Sequence, residues 1–136
     1  MAATVVADAG FIAALLRERD THHLWAVERS YLFQPPWQTC EAALSEAFYI
    51  LGLAAAPALL ALLDRQALIV SFELRSQQEP VLSLMKKYAE VPMSLADACI
   101  VRMTEIMTDP MVLTTDADFR VYRRNGRQVV PCVTPH

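Results

Sequence analysis

Residues 4–16 read TVVADAGFIAALL, and this stretch is the clearest indicator of the fold class. Its β-branched start, Thr4 to Ala7, is typical of a buried strand. From Gly10 to Arg19 the apolar residues recur at helical spacing. The stretch therefore predicts a strand followed directly by a helix, with the carboxylate of Asp8 at the junction, inside an otherwise apolar segment.

The same alternation of short apolar segments and helical patterns continues along the chain. Thr39 is interpreted as a helix N-cap, and Gly52 as the end of that helix. Further helices are expected over about 24–33, 57–65, 77–89 and 94–107, and strands in ALIVSFEL (67–74), MVLTT (111–115) and QVVPCV (128–133). Short apolar strands separated by helices indicate a parallel sheet covered on both faces. The predicted fold is an α/β three-layer sandwich with a short, central, mainly parallel β-sheet flanked by helices.

Length and composition suggest one domain spanning residues 1–136, in which 54% of the residues are hydrophobic. This apolar excess predicts a subunit interface, and hence a homo-oligomer. The longest apolar run, residues 47–63, is interrupted by Gly52 and Pro57 and is shorter than the ~20 residues of a bilayer span. We therefore expect no membrane anchor. The N-terminus does not resemble a secretory signal, so a cytoplasmic location is expected.

Several classes of site are disfavoured. The cysteines, Cys40, Cys99 and Cys132, are odd in number and lack C-x-x-C spacing, so they are interpreted as small core residues. The glycine-rich fingerprints of dinucleotide and phosphate-loop enzymes are absent. With a net charge of -3, the chain would need a local basic patch to bind nucleic acid.

Four acidic residues stand where the predicted fold would bring them together. Asp8 follows the first strand and Asp116 follows MVLTT. Ligand crevices in open α/β sheets lie beyond the carboxyl ends of the strands, so these two share an edge if the strands are neighbours. Asp97 and Glu46 lie on helices whose residues three and four positions away are mostly apolar. Both are therefore expected to point in the same direction as the core side chains, where they could reach the same edge.

These acids have few basic neighbours. No Lys or Arg stands three or four residues from Glu46 or Asp97, and none lies within eight positions of Asp8. Two carboxylates at ~4 Å repel by about 4 kcal/mol at an effective dielectric near 20. A divalent cation would relieve this repulsion, and all-oxygen ligands favour Mg²⁺ or Mn²⁺ over zinc.

Each acid also has a purely structural interpretation. Ser94 and Asp97 have the spacing of a capping box. Glu41 is near a helix start, where a negative charge is favourable. It competes with Glu46 as the second ligand, but the two differ by about 140° around a helix, so both cannot face one ion. The two aspartates after MVLTT fit an ordinary turn.

Four stretches, in order along the chain, resemble PIN-domain ribonucleases, and in particular VapC-type toxins of toxin-antitoxin pairs. They are ADAGFIAALL (7–16), TCEAALSEAFYIL (39–51), SLADACIV (94–101) and LTTDADF (113–119). Each motif alone is weak. Four in order over essentially the whole chain make the resemblance fairly specific.

The resemblance implies a PIN-like fold and a metal-dependent endoribonuclease. Its catalytic, metal-binding residues would be Asp8, Glu46, Asp97 and Asp116, around Mg²⁺ or Mn²⁺. Asp118 would be an auxiliary metal ligand, and Thr114 or Thr115 would match the polar residue before the fourth acid, with Thr115 assigned to substrate binding. The resemblance also implies a homodimer and a small antitoxin protein as partner.

A local basic patch is present in FRVYRRNGRQ, residues 119–128. Arg120, Arg123 and Arg124 are predicted to bind RNA phosphates, with Arg127 nearby and Tyr122 stacking on a base. The alternative is a solvated loop and strand edge.

Other functions remain as alternatives. The first is a catalytically silent PIN-fold module that binds RNA or protein. A haloacid-dehalogenase-like phosphatase would need a second Asp where this chain has Gly10, and a receiver domain would need an acidic pair and a late Lys. A purely structural oligomer would leave the four acids without a purpose.

Overall fold

A five-stranded, fully parallel sheet forms the centre of the molecule. The computed structural model describes residues 3–136. The strands are β1 (Thr4–Ala7), β2 (Trp37–Thr39), β3 (Leu68–Val70), β4 (Pro110–Leu113), β5 (Arg123–Arg124), β6 (Gln128–Val129) and β7 (Cys132–Val133). The main sheet has the order β3-β2-β1-β4-β7, with parallel pairing throughout. β5 and β6 form a separate antiparallel pair. The predicted α/β fold is confirmed.

Helices cover both faces of this sheet. They are α1 (Ala9–Leu16), α2 (His23–Leu32), α3 (Glu41–Asp64), α4 (Leu74–Lys87) and α5 (Leu95–Ile106). Side chains of β1 alternate between two core clusters, because successive strand residues point to opposite faces. Val5 and Ala7 pack in the cluster with α1, whereas Val6 packs in the cluster with α4 and α5. This alternation is the signature of three layers.

The register of β1 and β4 positions the site. Ala7 of β1 is paired with Leu113 of β4. Because the strands are parallel, Asp8 and Thr114 leave the sheet side by side at its carboxyl edge. The condition under which Asp8 and Asp116 would share an edge is therefore met.

Helix α3 is divided by a kink at Gly52, the residue at which the first of the two predicted helices was expected to end. Gly52 has φ 69°, a left-handed conformation that favours glycine, and it divides residues 41–51 from 53–64. In residues 3–136, α3 is the one helix long and apolar enough to cross a membrane. It also contributes Ala43, Ala47, Leu51, Leu59 and Leu62 to the core, and a core helix meets the same criterion.

Two predicted elements differ from the structure. Thr39 is the last residue of β2 and not a helix N-cap; its hydroxyl donates to the Ala7 carbonyl at 2.8 Å, and Cys40 is the N-cap of α3. The three-residue β2 was missed because it is so short and follows two prolines. QVVPCV forms two strands and not one, since β6 and β7 lie on either side of Val130 and Pro131.

Candidate active site

A cavity of about 210 Å³ at the carboxyl edge of the sheet contains all four predicted acids. They come from four different places: after β1, within α3, near the start of α5 and after β4. The lining residues are Asp8, Ala9, Gly10, Glu46, Ile50, Ala96, Asp97, Ile100, Thr115 and Asp116. The fold therefore collects side chains that are up to 108 positions apart, from Asp8 to Asp116, around one space.

Asp8 is buried, with 7% of its surface exposed, and it is the N-cap of α1. Its Oδ1 accepts from the backbone N–H of Phe11 at 2.8 Å, and its Oδ2 accepts a short hydrogen bond from the Thr114 hydroxyl. Burial raises the pKa of Asp8 to about 7; both hydrogen bonds oppose this shift, and the charges of Asp97 and Asp116 add to it. The buried carboxyl is thus held by neutral donors.

Asp97 has both a structural and a cavity-facing role. It forms the predicted capping box: its N–H donates to Ser94 Oγ at 3.0 Å, and its Oδ2 accepts from the Ser94 N–H at 3.3 Å. The same Oδ2 accepts from the Tyr122 hydroxyl at 2.9 Å. Burial is the main cause that raises its pKa, against these hydrogen bonds. Within residues 3–136, no donor bonds to its Oδ1, which is free for a ligand.

Asp116 is tied to Asp8 through Thr114. The Thr114 hydroxyl donates to Asp8 and accepts from the Asp116 N–H at 2.9 Å. Asp116 Oδ1 in turn accepts from the Asp118 N–H at 2.9 Å, which caps the short 3-10 turn Ala117–Arg120. The turn-forming interpretation is correct for Asp116. Asp118 does not line the cavity, so its predicted role as an auxiliary ligand has no direct geometric support.

Glu46, not Glu41, is the α3 carboxylate on this cavity. Glu41 lines a different cavity, beside Cys40 and Cys99. The expectation that Glu46 points with the core side chains is wrong, because the residue is exposed and reaches the cavity from its rim. Partial burial, followed by repulsion from Asp97 and Asp116, raises its pKa. The pKa of Glu46 therefore depends on the charges of the neighbouring acids.

Gly10 is a residue whose importance the sequence did not reveal. A Cβ built on Gly10 would lie 2.2 Å from Thr115 Oγ1 and 3.5 Å from Asp8 Oδ1. Only the absence of a side chain allows Thr115 to approach at the cavity wall. A glycine beside a strand end is too common a feature to indicate this contact in advance.

The donor chemistry of the cavity suits a hydrated hard cation. Its titratable lining groups are all carboxylates, with no thiol or imidazole. Among residues 3–136, no group of three His, Cys, Asp or Glu side chains is close enough to hold one ion together as they stand. Mg²⁺, however, is typically bound by one or two carboxylates and several waters. Asp97 Oδ1 and the second oxygen of Asp116 suit such a partly hydrated ion.

The predicted basic patch is largely engaged within the fold. Arg123 donates to the backbone carbonyls of Arg120, Val121 and Tyr122 at 2.7, 3.2 and 3.0 Å. Arg124 donates to the carbonyl of Thr104.

The other two arginines of this segment differ from each other. Arg120 donates to a backbone oxygen of His136, whereas Arg127 is exposed in the β5–β6 turn. Tyr122 has none of its surface exposed, so the prediction that it stacks on a base is wrong. It is instead the donor that orients Asp97.

Comparison with known proteins adds no further information about the site. No protein-family model, curated protein or solved structure matches the chain.

Proposed function

We propose that the protein is a Mg²⁺- or Mn²⁺-dependent endoribonuclease that hydrolyses RNA phosphodiester bonds. One observation carries this proposal: Asp8, Glu46, Asp97 and Asp116 line a single cavity, and its lining within residues 3–136 includes no Lys or Arg. These are the same four acids, in the same order, by which the sequence resembles PIN-domain ribonucleases.

The residues of the cavity would have distinct roles. A bound divalent cation would polarise a phosphoryl oxygen and lower the pKa of a bound water. Asp8 is fixed by Thr114 and by the start of α1, so it offers a rigid negative charge once deprotonated. Because its pKa is raised to about 7, binding of a cation at neutral pH would release a proton from it. Asp97 or Asp116, each with an oxygen free of protein donors, would orient the attacking water.

The decisive experiment is RNA cleavage with and without Mg²⁺ or Mn²⁺. The parent is compared with Asp8→Asn and Asp116→Asn, and Asp64→Asn, an exposed acid at the end of α3, is the matched control. We expect the parent and the control to cut only with metal. Each cavity variant should lose more activity than the ~10–100-fold typical of residues that merely support metal ligands. Equal residual cutting by both cavity variants would show a contaminating nuclease or a different site.

A second function is favoured by the absence, in residues 3–136, of a ready-made three-ligand group. It is a catalytically silent module that binds RNA or protein through the same fold. RNA binding without cleavage under either metal would support this second function and contradict the first.

The proposal extends to partners and location. Tyr49 and Leu53, on either side of the Gly52 kink in α3, are 88% and 96% exposed, which suits a homodimer interface. Leu53→Lys should lower the mass measured by light scattering to that of a monomer. An unchanged dimer mass would show that the interface lies elsewhere.

In a cytoplasmic toxin-antitoxin pair, a small antitoxin with a basic segment would match the acidic cavity.

A further inference from the structure

Two cysteines, one at the start of α3 and one in α5, line the same cavity. Cys40 is the N-cap of α3, and Cys99 lies in the first half of α5. Both are free thiols, each with 1% of its surface exposed, and both belong to the same core cluster. Such a pair is distinct from a single buried cysteine, because each thiol shares its cavity with a second thiol.

The position of Cys40 favours the thiolate. Cys40 is the N-cap of α3, and its side chain makes no cap hydrogen bond there. Interaction with the Cys99 thiol, and then with the N–H groups of the first turn of α3, lowers the pKa of Cys40 against the effect of burial. These N–H groups belong to the first turn of α3, where a helix stabilises negative charge. Cys40 is therefore the nucleophilic member, and Cys99 is its partner.

A second cavity gives small molecules access to the pair. It has a volume of about 330 Å³ and is separate from the acidic cavity. Exposed Glu41 and Leu95 lie on its wall, so it communicates with solvent. The remaining lining residues are Cys40, Ala42, Phe72, Leu74 and Cys99. An uncharged oxidant suits this mostly apolar space better than an anion.

We propose that Cys40 and Cys99 form a redox-active thiol pair that a hydroperoxide converts to a disulfide. The Cys40 thiolate attacks the O–O bond and becomes a sulfenic acid, while the leaving oxygen takes a proton and departs as an alcohol, or as water when the oxidant is hydrogen peroxide. The Cys99 sulfur then attacks the Cys40 sulfur and releases the sulfenic oxygen as water. The two thiols lose two electrons, and the peroxide gains them.

The disulfide would join the two helices that carry Glu46 and Asp97. Cys40 precedes Glu46 by six residues, and Cys99 follows Asp97 by two. Cys132, in β7, does not line this cavity and provides an internal control.

The sequence makes the test unambiguous, because trypsin places each cysteine in its own peptide. The full chain is treated with hydrogen peroxide, remaining thiols are alkylated, and the digest is analysed by mass spectrometry. We expect peptide 30–65 joined to peptide 88–102, lighter by two hydrogens, and separated again by dithiothreitol. Peptide 128–136 should stay alkylated at Cys132. Alkylation of all three cysteines, or a bridge that includes Cys132, would overturn the proposal.

Variants distinguish the roles of the two sulfurs. Cys99→Ser should stop at a sulfenic acid on Cys40, which dimedone traps, whereas Cys40→Ser should give neither adduct nor bridge. Cys132→Ser should form the bridge as the parent does. Circular dichroism checks that each variant is folded, and the measurement on the parent does not depend on any of them. Dimedone labelling of Cys99 in Cys40→Ser, at the rate seen for Cys40, would contradict the assigned order.

Discussion

The acidic cavity and the arginine-rich segment 119–128 are two charged regions of the molecule, and the fold uses them in opposite ways. Around the cavity, Asp97 and Asp116 each accept hydrogen bonds with one oxygen and keep the other free. In the arginine segment, Arg123 and Arg124 donate hydrogen bonds to backbone carbonyls of the protein itself. Charge that is present in the sequence is therefore not always charge that is available to a ligand.

The difference follows from the geometry of the groups. A carboxylate has two oxygens and lies easily at a helix start, where it caps one N–H and still faces a cavity. A guanidinium has several donors on a long side chain, and free carbonyls in turns attract them. The arginine segment therefore mainly stabilises the fold, and exposed Arg127 is the arginine most accessible to a ligand. Four predictions test this comparison.

The largest effect is expected for the stability of the metal-free protein as a function of pH. Asp8 has a folded-state pKa of about 7, above its unfolded value of 3.8, so the folded state binds the extra proton. Its contribution therefore favours folding at low pH, declines as pH rises from about 4 to about 7, and changes little above that. The decline is on the order of 4 kcal/mol.

Asp8→Asn should remove this decline. Urea unfolding in EDTA at about pH 4 and about pH 8 measures it, with Asp64→Asn retaining the parental slope. An identical pH dependence in the parent and in Asp8→Asn would show that burial does not raise the pKa of Asp8.

A smaller but still large effect is expected at Gly10. Gly10→Ala would push Thr115 away from the cavity wall, since the new Cβ would lie 2.2 Å from its hydroxyl. A displacement of about 1 Å near reacting groups costs roughly 100-fold in rate, so metal-dependent cleavage should fall by about that factor. Gly10→Ala combined with Thr115→Ala should recover part of the loss. A double variant as inactive as Gly10→Ala would place the damage elsewhere.

Tyr122 connects the two regions, because it belongs to the arginine segment and its hydroxyl donates to Asp97 of the acidic cavity. Tyr122→Phe removes the donor to Asp97 and should weaken Mg²⁺ binding by about 10-fold, as for other residues that support metal ligands. Tyr88→Phe is the matched control, because Tyr88 bonds to the Arg123 backbone and not to an acid. Isothermal titration measures both. Equal Mg²⁺ affinity in the two variants would show that Asp97 needs no help from Tyr122.

The smallest effect is expected in the arginine segment. Arg127→Gln should weaken RNA binding a few-fold and reduce the slope of log affinity against log salt by about 0.7, the value for one phosphate contact on a single strand. Arg124→Gln should instead lower the free energy of unfolding by about 1 kcal/mol, because it removes the bond to Thr104. The reverse pattern would show that Arg124 is the RNA contact.

Much of the site could be predicted because it depends on local patterns. A carboxylate directly after a buried strand must lie at the sheet edge, which placed Asp8 and Asp116 near it. Other features depend on which strands are neighbours or on distant backbone groups. The hydrogen bonds from Arg124 to Thr104 and from Tyr122 to Asp97 join residues 20 and 25 positions apart. Hydrophobic periodicity, which predicts local structure, does not predict such contacts. Strand β2, with three residues, is too short for its pattern to be distinguished from a helix cap.

The capping box at Asp97 has a consequence for how such a sequence would change under relaxed selection. In a descendant that no longer needed the acidic cavity, Glu46 would be free to drift, because no hydrogen bond within residues 3–136 depends on its carboxylate. Asp97 would persist, since replacing it also removes the hydrogen bonds that its Oδ2 accepts from the Ser94 N–H of the capping box and from Tyr122. Retention of Glu46 in a related sequence is therefore stronger evidence of a functional acidic cavity than retention of Asp97.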